Sequence, residues 1–101
     1  MVVPRDPSDE LAVVHDPAGR VFHADLDGQT AVLNYELSPG VMDITHTGVP
    51  EVFRRRGIAA KLTRAALEWA RAQGLAVIPS CPYVADYIRR NPEYQELVRR
   101  P

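Results

Sequence analysis

The stretch best suited to chemistry is Arg54-Arg55-Arg56-Gly57-Ile58-Ala59-Ala60-Lys61-Leu62, a basic loop with one glycine that opens into a helix. A helix start exposes backbone N–H groups that have no partner inside the helix, and its dipole favours negative charge. Glycine at 57 lets backbone come close to a ligand, and three guanidinium groups add positive potential at the same place. The combination predicts a cradle for phosphate or pyrophosphate. A Walker-type loop needs two glycines and then Lys-Ser/Thr, and a dinucleotide fingerprint needs three glycines; neither is here. Taken by itself, the loop also suits nucleic-acid phosphate or a plain solvated helix start. Arginines at a helix N-terminus oppose the dipole, so an anion there would relieve an unfavourable arrangement.

Arg54-x-x-Gly57-x-Ala59 matches the Q/R-x-x-G-x-G/A signature with which the GNAT superfamily of N-acetyltransferases binds the pyrophosphate of acetyl-CoA. His46-Thr47-Gly48-Val49-Pro50 precedes the loop, and Pro79-Ser80-Cys81-Pro82-Tyr83-Val84 and Tyr87-Ile88-Arg89-Arg90-Asn91-Pro92-Glu93-Tyr94 follow it. On these motifs, in this order, the chain resembles the short, single-domain acetyltransferase-like group of that superfamily from about Leu11 to Leu97. Arg55 replaces a glycine common at its position, and Asn91 stands where the group usually has His before Pro-Glu-Tyr. The resemblance implies acetyl-CoA or coenzyme A as cofactor, held by Arg54, Arg55, Arg56, Gly57, Ile58, Ala59 and Ala60. It also implies Thr47, Val49, Asn91 and Tyr94 near the cofactor, and an amine as acceptor.

Cys81 is the leading catalytic candidate, since it follows an apolar run and precedes Pro82, which places it near a helix N-cap. Unpaired N–H groups there favour thiolate over thiol, and a thiolate beside a thioester could accept the acetyl group. In the resembled group a cysteine at this position is proposed to be catalytic. The bland alternative is a small buried hydrophobe. Transfer without a covalent step needs a base instead, and His46 is the best placed among His23, Glu36, Asp43 and His46, all of which also suit ordinary strand positions. Tyr87 matches the offset at which members of the superfamily place a tyrosine that protonates departing CoA thiolate, with Tyr83 one turn earlier on the same face. Both rings equally suit packing of a helix onto a sheet.

The elements that must position these residues divide at about residue 50. The first half alternates apolar and polar residues in short runs. Leu11–His15 and Arg20–Leu26 are separated by Asp16-Pro17-Ala18-Gly19; then come Thr30–Leu37 and Val41–Val49. Asp27-Gly28 predicts a tight type I′ hairpin, and Ala31, Leu33, Tyr35 and Leu37 should share one face. The second half changes period: Ile58, Leu62, Ala66 and Trp69, with Ala59, Ala65 and Ala70, form a helical apolar stripe. Arg64 and Glu68 make an i,i+4 pair opposite, and Gly74 is a stop. Leu75–Ile78 reads as a buried strand reached by a right-handed crossover, parallel to Val41–Val49. Pro82–Arg90 and Pro92–Arg99 read as two short helices.

The expected fold is therefore α/β (α+β). It is a mixed, mostly antiparallel GNAT-like sheet with a β-α-β crossover and short C-terminal helices. Residues 1–10 read as a flexible arm and 11–101 as one compact domain. Full-size members of the superfamily carry two helices between their first two strands, where only a turn fits here, so the acceptor site should be open and shallow.

A 101-residue chain with 46% hydrophobic and 25% charged residues suits one soluble domain with a modest core. A formal net charge of −1 argues against general binding to nucleic acid or acidic membranes, and the positive charge is local to Arg54–Arg56. A single cysteine forms no internal disulfide, which points to a cytoplasmic home, and no run of about 18 apolar residues is present. The leading expectation is an acetyl-CoA-dependent N-acetyltransferase acting on an amine, as a monomer or weak dimer, with no metal. The alternative is a non-catalytic binder of CoA or acyl-CoA. A nucleic-acid adaptor is disfavoured by balanced charge and few aromatic candidates for stacking.

Overall fold

The computed structural model of the chain describes residues 12–53 and 57–99, so the N-terminal arm and Arg54–Arg56 lie outside the described residues. Asp27 and Gly28 both adopt positive φ, 53° and 76°, the backbone of a two-residue hairpin whose twist matches its strands. This turn folds β2 (Val21–Leu26) back onto β3 (Gln29–Ser38) in a register running from Val21↔Asn34 to Leu26↔Gln29. A short β1 (Val14–Asp16) pairs antiparallel with β2, and β4 (Val41–Gly48) pairs antiparallel with β3. Ala12 and Val13, expected in the first strand, precede it, and Leu11 lies outside the described residues. Alternation puts Phe22, Ala24, Ala31, Leu33 and Tyr35 on one buried face. Leu37, expected on that face, is 37% exposed at the Ser38–Gly40 end of the sheet.

A 3-10 turn at Glu51–Phe53 leads towards α1 (Ile58–Ala72), which crosses that face and returns the chain to β5 (Ala76–Pro79). β5 pairs parallel with β4, from Val41↔Ala76 to Ile44↔Pro79, and completes a sheet of order β1-β2-β3-β4-β5. The fold is the mixed, mostly antiparallel α/β arrangement expected. The buried stripe of α1 is wider than its apolar pattern: Thr63 and Leu67 are fully buried beside Ile58, Leu62, Ala66 and Ala70. Thr63 tolerates burial because its hydroxyl donates to the Ala59 carbonyl at 2.8 Å. Glu68 pairs with Arg71 at 3.6 Å instead of with Arg64, because it also accepts a hydrogen bond from Tyr94 one layer away.

α2 (Pro82–Arg90) opens on proline as expected. The segment after it is a 3-10 helix, Pro92–Leu97, not a helix reaching Arg99. Val98 instead bridges Val77 in parallel, and the Arg99 N–H donates to the Val77 carbonyl at 2.8 Å. The free edge of β5 wins that backbone because its donors and acceptors would otherwise be unpaired.

Candidate active site

Asn34 pairs with His46 and Tyr35 pairs with Ile44, which leaves Thr45 without a cross-strand partner. One extra residue makes a β-bulge and reverses the face that later side chains occupy. Met42 and Ile44 face the core, and after the bulge the inward position falls to Thr47 while His46 is exposed. Pairing with β5 ends at Ile44↔Pro79. Beyond it, residues 46–48 pair with β3 alone among the described strands, so the sheet splits into a wedge beside β4.

Cys81 sits where the wedge opens. Its N–H donates to the Ile44 carbonyl at 2.9 Å, and it is the N-cap residue of α2. The residue is 6% exposed, and its Sγ lies 3.4 Å from Thr47 Oγ1. Burial by itself would raise the thiol pKa. The Thr47 hydroxyl and the backbone N–H groups of Val84, Tyr83 and Thr47 outweigh it and hold the thiol below its ordinary value. No capping hydrogen bond of normal geometry forms to the sulfur. The N–H groups at the start of α2 act on it as nearby dipoles.

Next to the wedge is a cleft of about 330 Å³ lined by Val49, Phe53, Gly57, Ile58, Ala59, Ala60 and Tyr83. Gly57 caps α1 in the left-handed conformation (φ 66°, ψ 21°), and no side chain caps the helix. The first N–H groups of a helix have no intrahelical acceptor, and no acidic residue stands in the first turn of α1 to meet those of Ile58, Ala59 and Ala60. The residues present fit the cofactor that the resemblance implies. Backbone donors at a dipole's positive end suit a pyrophosphate, and the apolar walls of Val49, Phe53 and Ile58 suit an aliphatic arm.

Of the expected site residues, Val49, Gly57, Ile58, Ala59 and Ala60 line the cleft, and Thr47 meets Cys81 beside it. His46 is separated from them by strand parity: its Nε2 lies 3.0 Å from the position a Cβ would take on Gly48, on the other face of β4. Tyr83, not Tyr87, lines the cleft. Tyr87 is one turn further along α2, its ring 6.1 Å from that of Tyr94. Asn91 and Tyr94 are not brought to the cleft. The Asn91 amide donates to the Tyr87 carbonyl at 2.8 Å, and the buried Tyr94 donates its hydroxyl to Glu68 Oε2 at 2.6 Å. Glu68 stands ten residues beyond Ile58, about 15 Å along α1. Phe53 was missed in the sequence because it precedes the loop and reads as ordinary core. Tyr83 had a usable signal in its place two residues after Cys81, at the same helix start. Among the described residues no cluster of three or more His, Cys, Asp or Glu could hold a metal ion.

A crossover of this kind, with a strand pair that splits beside an uncapped helix start, defines an acetyltransferase-type domain. Residues 21–97 match the GCN5-related N-acetyl-transferase family. The chain is 39% identical over 97 residues to Protein NATD1 of Xenopus tropicalis, covering 93% of this chain and 89% of that protein. It is 38% identical over 92 residues to Protein NATD1 of Mus musculus, covering 88% and 84%. The NMR solution structure of a GCN5-like protein from Staphylococcus aureus superimposes with a TM-score of 0.71 at 25% identity, covering 88% of each chain. The chain belongs to the GCN5-related N-acetyltransferase family, whose members generally use acetyl-CoA.

Proposed function

We propose that this protein transfers an acetyl group from acetyl-CoA to an amine by way of Cys81. The observation that carries the reading is the meeting of Cys81 Sγ and Thr47 Oγ1, at 3.4 Å, each two residues before one that lines the cleft at the uncapped end of α1, Tyr83 and Val49. In this reading the N–H groups of Ile58, Ala59 and Ala60 hold the pyrophosphate, with Arg54, Arg55 and Arg56 adding charge from the loop before them. The acyl arm passes between Val49 and Tyr83 and brings the thioester to the sulfur.

The Cys81 thiolate attacks the acetyl carbonyl carbon, a new carbon–sulfur bond forms, and the bond to the CoA sulfur breaks. Burial raises the Tyr83 hydroxyl pKa, so this residue stays protonated at neutral pH and can give its proton to the departing thiolate. A deprotonated amine then attacks the acetyl carbon; its bond to the Cys81 sulfur breaks to release the thiolate, and the proton lost by the amine nitrogen returns to the Tyr83 phenolate. Incubation with radiolabelled acetyl-CoA, with and without small amines and lysine peptides, tests the reading. Acetyl-protein that is discharged by an amine is the expected result, and neither label nor transfer overturns it.

A second reading, a non-catalytic binder of CoA, is favoured by one observation. β1 and β2 are joined by the tight turn at residues 17–20, so no helix stands there to wall an acceptor site. The same incubation separates the two, because that reading gives binding without label.

A further inference from the structure

We infer that Arg64 reads the 3′-phosphate of coenzyme A, which makes the seam between α1 and α2 the nucleotide end of the cofactor site. The inference rests on the cofactor reading of the cleft. Ala60 on α1 and Tyr83 on α2 line that cleft together. One helical turn on, the same two faces present Arg64 and Tyr87. One turn beyond that the seam is closed. Tyr94 donates to Glu68 at 2.6 Å, the Arg71 guanidinium lies 5.2 Å from the Tyr94 ring centre, and the Tyr87 and Tyr94 rings are 6.1 Å apart. Arg64 and Tyr87 therefore stand between the cleft at Ala60 and Tyr83 and the closed seam at Tyr94.

The other cations of this seam are already engaged: Arg71 with Glu68 and Glu96, and Arg89 and Arg90 with Asp86. Arg64 is exposed and makes no ion pair among the described residues. Its charge nevertheless reaches the seam. Burial raises the hydroxyl pKa of Tyr87, and Arg64 is the group that opposes the rise.

Topology assigns the two arms of the cofactor. The acyl arm has to run along Thr47 and Val49, because the thioester must reach Cys81. The nucleotide would then leave the pyrophosphate on the other side, towards the seam at Arg64 and Tyr87. Arg64 is four residues past Ala60, about 6 Å along the helix, which is the span of the single ribose between the 5′-pyrophosphate and the 3′-phosphate. A guanidinium at that distance can meet a phosphate with paired N–H donors.

Calorimetry with coenzyme A and with 3′-dephospho-coenzyme A, on wild type, Arg64→Ala and Arg64→Lys, tests this. Wild type should prefer coenzyme A by about tenfold, the scale of one exposed charge-assisted contact. Arg64→Ala should bring the ratio close to one by weakening coenzyme A while leaving the dephospho compound unchanged, and Arg64→Lys should keep part of the preference. A wild-type ratio near one, a preference that survives Arg64→Ala, or equal loss of both compounds in that variant overturns the inference and leaves the cofactor reading standing. Failure of wild type to bind either compound overturns both.

Discussion

The Thr47 hydroxyl oxygen lies 3.4 Å from the Cys81 sulfur, across the wedge that opens where β4 parts from β5. Thr47 reaches that position only because the bulge at Thr45 turns it inward. Against the burial that would raise it, this hydroxyl is the first of the groups that lower the thiol pKa. Thr47→Val keeps the shape and removes the donor. The rate of Cys81 alkylation by iodoacetamide, plotted against pH, should shift to higher pH in Thr47→Val and return in Thr47→Ser. An unshifted profile would assign the low thiol pKa to the start of α2 alone.

Cys81→Ala separates covalent from direct transfer. In wild type, brief exposure to acetyl-CoA should add one acetyl group that hydroxylamine removes, as intact-protein mass spectrometry would record. The variant should lose that label and most turnover and still bind coenzyme A, because the cradle at α1 is a separate element. A normal rate in Cys81→Ala would leave this residue as a packed hydrophobe.

Gly57→Val tests the cradle. Among the described residues, chain neighbours aside, no atom stands within 4 Å of a Cβ added at Gly57. The backbone there has φ +66°, which costs a branched residue about 1–2 kcal/mol, and the new side chain fills the approach to the N–H groups. Thermal melting should show a modest loss of stability, and calorimetry a large loss of coenzyme A affinity. Reversing charge with Arg54→Glu and Arg56→Glu should weaken the same binding without lowering the melting temperature. Unchanged affinity in all three would remove the cofactor from this end of α1.

His15 makes stability depend on pH. Its Nε2 lies 2.6 Å from the Tyr35 hydroxyl, and its ring stacks on Phe22 at 4.0 Å and meets Trp69 at 4.6 Å. Burial holds the imidazole pKa below its ordinary 6.5, against the pull of Asp16. The stability gained from the neutral ring is therefore complete above pH 6.5 and lost as pH falls through the depressed folded value, because the unfolded chain takes up the proton first. Urea unfolding followed by the emission of Trp69 should give a lower midpoint at pH 5 than at pH 7.5. His15→Phe should flatten that difference; an equal acid loss in the variant would place its source elsewhere.

Tyr94→Phe should cost about 1 kcal/mol, the usual net value of one hydrogen bond, and lower the melting temperature by about 5 °C. Burial first, then the bond to Glu68, push the Tyr94 hydroxyl pKa up to about 12 from 10.0. Its contribution is thus whole below pH 10 and fades as pH rises towards 12, a decline that the variant should lack.

Much of the fold was legible locally. The Asp27-Gly28 pair fixes a hairpin because few residues accept two positive φ angles in succession, and the period-2 runs on either side give the meander. The change of period after residue 57, the stop at Gly74 and the proline at 82 place α1, β5 and α2 within a residue or two. The first half of the site was legible for the same reason: Gly57, Ala59 and Ala60 are a helix start, and Cys81 before Pro82 is another.

Other features belong to the tertiary structure. Strand alternation puts His46 on the core side of β4, yet the unpaired Thr45 reverses the parity and hands that place to Thr47. A bulge depends on how β3 pairs across it, which no local pattern of β4 contains. Tyr83 and Tyr87 share one helical face and differ only in what the neighbouring helix offers: the cleft at Ala60 for one, the seam at Arg64 for the other. Tyr94 left the cofactor mouth for Glu68 because a buried hydroxyl needs a partner, and the packing of Pro92–Leu97 on α1 supplied one there. Sequence alone determined the periods, turns and helix starts, since each arises from a few adjacent residues. The three-dimensional packing decided which side chains meet, since contacts between distant segments follow from register and helix orientation.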